Sequence, residues 1–224
     1  MIQFENAGIS FSGSSLLSDV SVEIPEGSFV FLTGESGAGK SVFLRMCHAD
    51  LSPDQGSVRF FGKRLGRRNR GAIARLRRRV SIVHQTNAFL DHLTVLENIA
   101  LPLRVSGIDL AERAEDLEAL LHWVELSDLT GLHPPELSNV ERRRAALARA
   151  VVLSPDVVLA DEPTSGLDAT MEERLLNLLC ELNRLGKAVV VASRDRHLFE
   201  RATTQVPIDT YVAEQGRIVS AEPL

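Results

Sequence analysis

Short apolar runs separated by polar turns make up the two ends of the chain, and three of these runs are unbroken. They are Phe29-Val30-Phe31-Leu32, Val157-Val158-Leu159-Ala160 and Ala188-Val189-Val190-Val191-Ala192. All-apolar runs of this length fit strands of a parallel sheet covered on both faces. Val80-Ser81-Ile82-Val83 reads as a further core strand ending at His84-Gln85. Residues 2–4, 20–24 and 56–62 also have strand character, and a Pro25-Glu26-Gly27 turn follows the second. From 94 to about 132 the pattern becomes helical, with Leu117, Leu120 and Leu121 on one face of an acidic stretch over 111–121. Pro134-Pro135 interrupts it; helices are predicted again over 141–153 and over 171–185, the latter stopped by Gly186. Strands alternating with helices predict a doubly wound α/β core in a single domain, 1–224. The core takes 1–86 and 151–224, and a helical lobe is inserted over about 87–150.

Composition narrows the class. The 224 residues, 44% of them hydrophobic, are enough for one sizeable core, and a net charge of −5 gives no global attraction to nucleic acid. Cys47 and Cys180 lie far apart, without metal-ligand or disulfide-framework spacing, which fits two buried thiols in a reducing compartment. Met1-Ile2-Gln3-Phe4-Glu5-Asn6 lacks the basic and apolar regions of a signal peptide. No apolar run approaches the roughly 20 residues that span a bilayer. A soluble, cytoplasmic protein is expected.

Candidate chemistry enters where the first unbroken run ends. Gly34-Glu35-Ser36-Gly37-Ala38-Gly39-Lys40-Ser41 fits G-x-x-x-x-G-K-[ST], with a strand before it and the helical start Val42-Phe43-Leu44-Arg45-Met46 after it. That context marks a phosphate-binding loop. The backbone from Gly34 through Gly39 can curl until several N–H groups face one anion, and the helix N-terminus adds partial positive charge. Lys40 would then reach the β- and γ-phosphates of ATP, and the Ser41 hydroxyl would sit on Mg²⁺. The second unbroken run ends in Asp161-Glu162-Pro163. A parallel strand delivers its C-terminal end to the ligand crevice, which puts Asp161 in the Mg²⁺ shell and Glu162 beside an attacking water.

Taken in order, these motifs resemble the ATPase subunits of ABC transporters over essentially the whole chain. The resemblance rests on the phosphate loop, Gln85 after a strand, and Leu137-Ser138 followed by Glu141-Arg142-Arg143-Arg144 and Ala148-Arg149-Ala150. Asp161-Glu162-Pro163 and Ser165-Gly166-Leu167-Asp168 complete it. It implies a P-loop NTPase core with an antiparallel β subdomain and an inserted helical lobe. It further implies that Phe11 stacks on adenine and that Gln85 joins the metal site to a transmembrane partner. Ser138 would meet the γ-phosphate bound by an opposite subunit, Asp168 would belong to the nucleotide site, and Gly216-Arg217-Ile218-Val219 would form a terminal hairpin.

Two departures from the family pattern bear on turnover. The family's Leu-Ser-Gly-Gly-Gln or -Glu is here Leu137-Ser138-Asn139-Val140-Glu141. The glycines are gone, and β-branched Val140 adds bulk where close approach to a phosphate is wanted. After the last core strand the family places His within Thr-His-Asp; this chain has Ser193-Arg194-Asp195, with His197 three residues beyond Arg194. Arg194 is a fixed cation with a planar donor fork, able to grip a γ-phosphate but unable to change protonation as His does. It joins Glu162 and Gln85 as a candidate catalytic residue. Nucleotide binding with slow hydrolysis is the expectation, with a non-hydrolysing, nucleotide-dependent scaffold as the alternative.

Within the family, the strings around the phosphate loop and over 94–103 are most similar to the branch holding the cell-division, lipoprotein-release and macrolide-export ATPases. The cell-division members imply an FtsX-type integral membrane partner and an ATP-dependent homodimer on the cytoplasmic face of the inner membrane. An exporter subunit is the other reading within the branch. Residues 63–79 carry nine Lys or Arg without interleaved aromatics. This reads as a solvated face, or as one turned to anionic lipid, rather than a nucleic-acid patch.

Overall fold

The computed structural model describes residues 1–65, 69–86 and 88–221. Asn87, where the lobe was expected to begin, and Arg67 and Arg68 of the basic stretch lie outside the described residues. In chain order the elements are β1 (Ile2–Phe11), β2 (Ser14–Val20), β3 (Glu23–Ile24), β4 (Phe29–Thr33), α1 (Lys40–Cys47), β5 (Gln55–Phe60), β6 (Lys63–Arg64), α2 (Arg70–Arg77) and β7 (Val80–Val83). They continue as α3 (Val95–Val105), α4 (Ala114–Trp123), α5 (Asn139–Val151), β8 (Val157–Asp161), α6 (Ala169–Arg184), β9 (Ala188–Ala192), α7 (Arg196–Thr203), β10 (Ile208–Glu214) and β11 (Arg217–Ala221).

The apolar runs form one sheet in the order β11-β10-β4-β9-β8-β7, parallel from β10 to β7. Period-two alternation sends successive side chains to opposite faces. Val30, Leu32, Val157, Leu159 and Val190 pack with Phe43, Leu44 and Met46 of α1 on one face. Phe29, Phe31, Val158, Val189 and Val191 pack with Leu175, Leu179, Leu198 and Phe199 of α6 and α7 on the other. A third cluster, including Val95, Ile99, Leu117, Leu121, Leu137 and Ala145, holds α3, α4 and α5 together.

Register decides where the loops emerge. Leu32 pairs with Ala192, Ala192 with Asp161, and Ala160 with Val83. The phosphate loop, Glu162, Ser193-Arg194 and His84-Gln85 therefore leave the sheet along one rim.

The antiparallel layer is more extensive than the sequence pattern indicates. β1 pairs with β3 through Ile2 and Gln3, with β5 from Ile2 to Gly8 and with β2 from Ala7 to Phe11, and the β5 register shifts around Asn6, where φ is 47°. Polar Glu5-Asn6 and Gly8 conceal this strand, which long-range pairing stabilises. The single strand expected over 20–24 is divided between β2 and β3, which pair with opposite ends of β1, and Phe4 N–H donates to the Val22 carbonyl (2.8 Å) between them. The helical stretch from 94 to about 132 breaks into α3 and α4, with Gly107 at φ 73° between them and Glu125 at φ 55° just after α4. Part of the basic run forms α2, capped by Asn69 Oδ1 accepting from Ala72 N–H and anchored by buried Leu76. Cys47 and Cys180 are buried and free, and burial pushes the Cys180 thiol up to about 11.

Candidate active site

Gly39 caps α1 at φ 101° and without a side-chain hydrogen bond. A side chain there would be strained, and its Cβ would lie 2.6 Å from Leu17 Cδ2. Gly34 is bound as tightly: a Cβ on it would meet the Ala213 carbonyl oxygen of β10 at 2.3 Å. The loop is thus pinned between β2 and β10 while the first N–H groups of α1 remain without a side-chain cap. Lys40, 6% exposed, donates from Nζ to the carbonyls of Gly34 (2.6 Å) and Glu35 (3.0 Å). Burial lowers the pKa of its ammonium; the Glu162 and Asp161 carboxylates oppose that shift and Arg194 adds to it.

Ser36, Gly37, Gly39, Lys40 and Ser41 line a cleft of about 330 Å³ together with Gln85, Asp161, Glu162 and Arg194. Leu16 of β2 and Val42 add apolar wall. Asp161 is buried at the end of β8. Glu162 follows at φ 45°, an uncommon conformation for a side chain of this size, held by its N–H donating to the Ala192 carbonyl (2.8 Å). Ser193, 1% exposed, donates from Oγ to Glu162 Oε2 (3.2 Å) and accepts from Asp195 N–H (3.1 Å). Arg194 Nε stands 3.4 Å from Glu162 Oε1.

The remaining sequence candidates lie outside that lining. Phe11 ends β1 and is 72% exposed. Ser138 caps α5 in a capping box: its Oγ accepts from Glu141 N–H (3.3 Å), while its own N–H donates to Glu141 Oε2 (2.7 Å). Those bonds hold the Glu141 carboxyl below its usual range. Asp168 caps α6 by accepting from Met171 N–H (3.0 Å). His197 lies in the first turn of α7, exposed, with Nδ1 3.4 Å from Glu200.

Sequence reasoning assigned no role to three further groups. Ser193 was visible only as the residue before Arg194; its contact with Glu162 depends on how two loops meet. Arg143 of α5 donates to the carbonyls of Gln85 (2.9 Å) and Ser165 (3.2 Å). Arg149 donates to the Ala88 carbonyl (2.7 Å) and lies over the Phe89 ring, 4.5 Å from its centroid. Arginines five and eleven residues beyond the Ser138 cap give no hint in sequence of which loop carbonyls they will meet.

The ABC transporter family model matches residues 17–165. The cell division ATP-binding protein FtsE of Haemophilus influenzae is 36% identical over 218 residues, 96% of this chain and 98% of that protein. The methionine import ATP-binding protein MetN of Legionella pneumophila is also 36% identical, over 225 residues, and there the chain spans 65% of the relative. A solved dimeric ATP-binding cassette, in a post-hydrolysis state with ADP and Pi, superposes with a TM-score of 0.88 at 28% identity, covering 100% of this chain and 99% of that one. With the family model matched from β2 to the turn after Glu162, and a phosphate loop and carboxylates lining one cleft, the chain belongs to the ABC transporter family as an ATP-binding cassette with ATPase activity.

Proposed function

We propose that this chain is the ATP-driven subunit of a cell-division-type membrane complex. It binds Mg²⁺-ATP, hydrolyses it slowly, and closes as a homodimer to move an FtsX-type integral membrane protein from the cytoplasmic face. The observation that carries the reading is the convergence of Lys40, Ser41, Gln85, Asp161 and Glu162 on one cleft. The likeness to FtsE along 98% of that protein supports the cell-division assignment.

The donors suit the metal. The Ser41 hydroxyl, the Gln85 amide oxygen and the Asp161 carboxylate are hard oxygens of the kind Mg²⁺ takes. When bound, Mg²⁺ neutralises phosphate charge. Lys40 exchanges its two loop carbonyls for phosphate oxygens, which gives a desolvated ammonium the counter-charge it lacks. The free N–H groups at the start of α1 take further phosphate oxygens. Glu162 orients the attacking water and accepts its proton.

Slow turnover follows from what already engages Glu162. In the nucleotide-free chain Ser193 Oγ donates to one carboxylate oxygen and Arg194 faces the other, which leaves an attacking water fewer free acceptor positions on Glu162. Ser138 serves the site of the second copy, with Asn139 and Val140 where the family has glycines. Asp168 belongs to the nucleotide site, and Phe11 supplies the adenine contact.

Methionine import is the second reading, favoured by the equal identity to MetN. Co-expression with an FtsX-type protein and, separately, with a methionine-import permease tests both. Co-purification and ATPase stimulation by the FtsX-type protein alone are expected; stimulation by the permease alone overturns the cell-division reading.

A further inference from the structure

Two arginines on α5 reach across to loops that belong to the sheet, and Arg143 reaches two loops at once. Its Nη1 donates to the Gln85 carbonyl after β7 (2.9 Å), and its Nη2 donates to the Ser165 carbonyl after β8 (3.2 Å). The side chain is half-buried, burial lowers its pKa, and no carboxylate pairs with it among the described residues. A desolvated cation satisfied only by main-chain carbonyls contributes little as an ion pair and much as a geometric clamp. A planar guanidinium fixes the distance between the two carbonyls it spans, which a flexible ammonium cannot do.

The three tied pieces matter to the cleft in different ways. Gln85 lines it, Ser165 sits in the turn leading to the Asp168 cap, and α5 begins just after its Ser138 cap. Arg149 supports the same arrangement one segment later, through the Ala88 carbonyl and the Phe89 ring. The lobe therefore grips the segment after Gln85 from one helix, while the phosphate loop is held separately by β2 and β10.

We propose that Arg143 is a positioning residue that locks the Gln85 loop and the Ser165 turn to α5, so that the three shift as one body relative to the phosphate loop and Gln85 is thereby placed for the metal. The last clause rests on the nucleotide reading given above; the bridge itself does not.

Hydrogen exchange on the nucleotide-free chain tests the bridge. Ser165 N–H donates to Glu162 O, and Leu167 N–H to Thr164 O, so both amides report on the turn. Leu90 N–H, bonded to Asn98 Oδ1, reports on the other segment. Arg143→Ala should speed exchange at all three by about tenfold or more, the scale of one lost charge-assisted hydrogen bond, with β8 and β9 unchanged. Arg143→Lys should protect at most one of the two segments, and it supplies the measurement if the alanine variant does not fold. Unchanged exchange, uniform acceleration through the strands, or full rescue by Arg143→Lys would overturn the bridge.

ATP affinity measured with Mg²⁺ and with EDTA tests the placement of Gln85. The Mg²⁺-dependent gain in affinity should shrink about tenfold in Arg143→Ala while the EDTA value stays constant. Equal loss in both overturns the placement. Absence of ATP binding by the unaltered chain removes the nucleotide reading, and the exchange result still decides the bridge.

Discussion

Arg194 sets its Nε 3.4 Å from Glu162 Oε1, while the neighbouring Ser193 holds Oε2 from 3.2 Å. Two consecutive residues after β9 thus grip the carboxylate after β8 from both sides. Their burial differs: the Arg194 side chain is 59% exposed and that of Glu162 14%. Exposed ion pairs contribute at most about 1 kcal/mol, so Arg194 can leave the carboxylate for a stronger anion at little cost to the fold.

A γ-phosphate is such an anion. Arg194→Ala should therefore weaken ATP binding about tenfold, the value of one charge-assisted hydrogen bond, and leave ADP binding nearly unchanged. Calorimetry with each nucleotide checks this; equal losses would mean that the guanidinium serves only Glu162. Steady-state assays should also find Arg194→His faster than the unaltered chain, because it restores the His that the family places at this step.

Lys40→Ala should cost about a hundredfold in Mg²⁺-ATP affinity, as two charge-assisted contacts are lost. Unchanged affinity in a calorimetric titration would remove the phosphate-loop assignment.

In a Glu162→Gln background with ATP, the chain alone should run as a dimer in solution, since hydrolysis no longer reopens it. Mass measurement across a concentration series decides this. A monomer that pairs only after a different ATPase subunit is added would replace the homodimer with a heterodimer; rescue by the membrane partner would leave it standing.

His84, beside Gln85, supplies a pH dependence. His84 is exposed, but desolvation by the atoms around its ring holds the imidazole below the ordinary 6.5; His48 and Arg149 lower it further, and Asp50 and Asp161 pull it back up. Asp50 is itself engaged by His48 Nδ1 (3.1 Å) and Arg77 Nη2 (2.7 Å). The folded chain therefore binds the proton less well than the unfolded chain, so stability is full above 6.5 and falls as pH drops through the lowered pKa. Glu5, chiefly through Arg64, and Glu141, chiefly through Ser138, are depressed from 4.5, so their losses come only at lower pH. Melting temperatures from pH 7 to about pH 5 should decline in the unaltered chain and stay flatter in His84→Gln; superimposable curves would remove His84 from the account.

How much was legible depended on whether a feature was local. The unbroken runs at 29–32, 157–160 and 188–192 fell into parallel strands because continuous apolarity suffices to describe a strand buried on both faces. The phosphate loop was equally local, since Gly39 and Lys40 are neighbours in sequence and in space. β1 was longer than its pattern because Asn6 and Gly8 are poor strand formers kept in place by partners elsewhere in the chain. Ser193, Arg143 and Arg149 escaped for a related reason. Their partners, Glu162, Gln85 with Ser165, and Ala88, lie 31, 58 with 22, and 61 residues away. No periodicity encodes such meetings.

The closeness of Gly34 to the Ala213 carbonyl carries a consequence for biosynthesis. β10 lies beside β4 in the sheet, yet about 180 residues of translation separate them. A nascent chain displays its phosphate loop early, without the strand that backs it. Nucleotide affinity should therefore arrive late and abruptly, when β10 docks beside β4. Chains that stall before that point would hold the whole motif without the strand behind it, which makes ligand retention a report on the docking of β10.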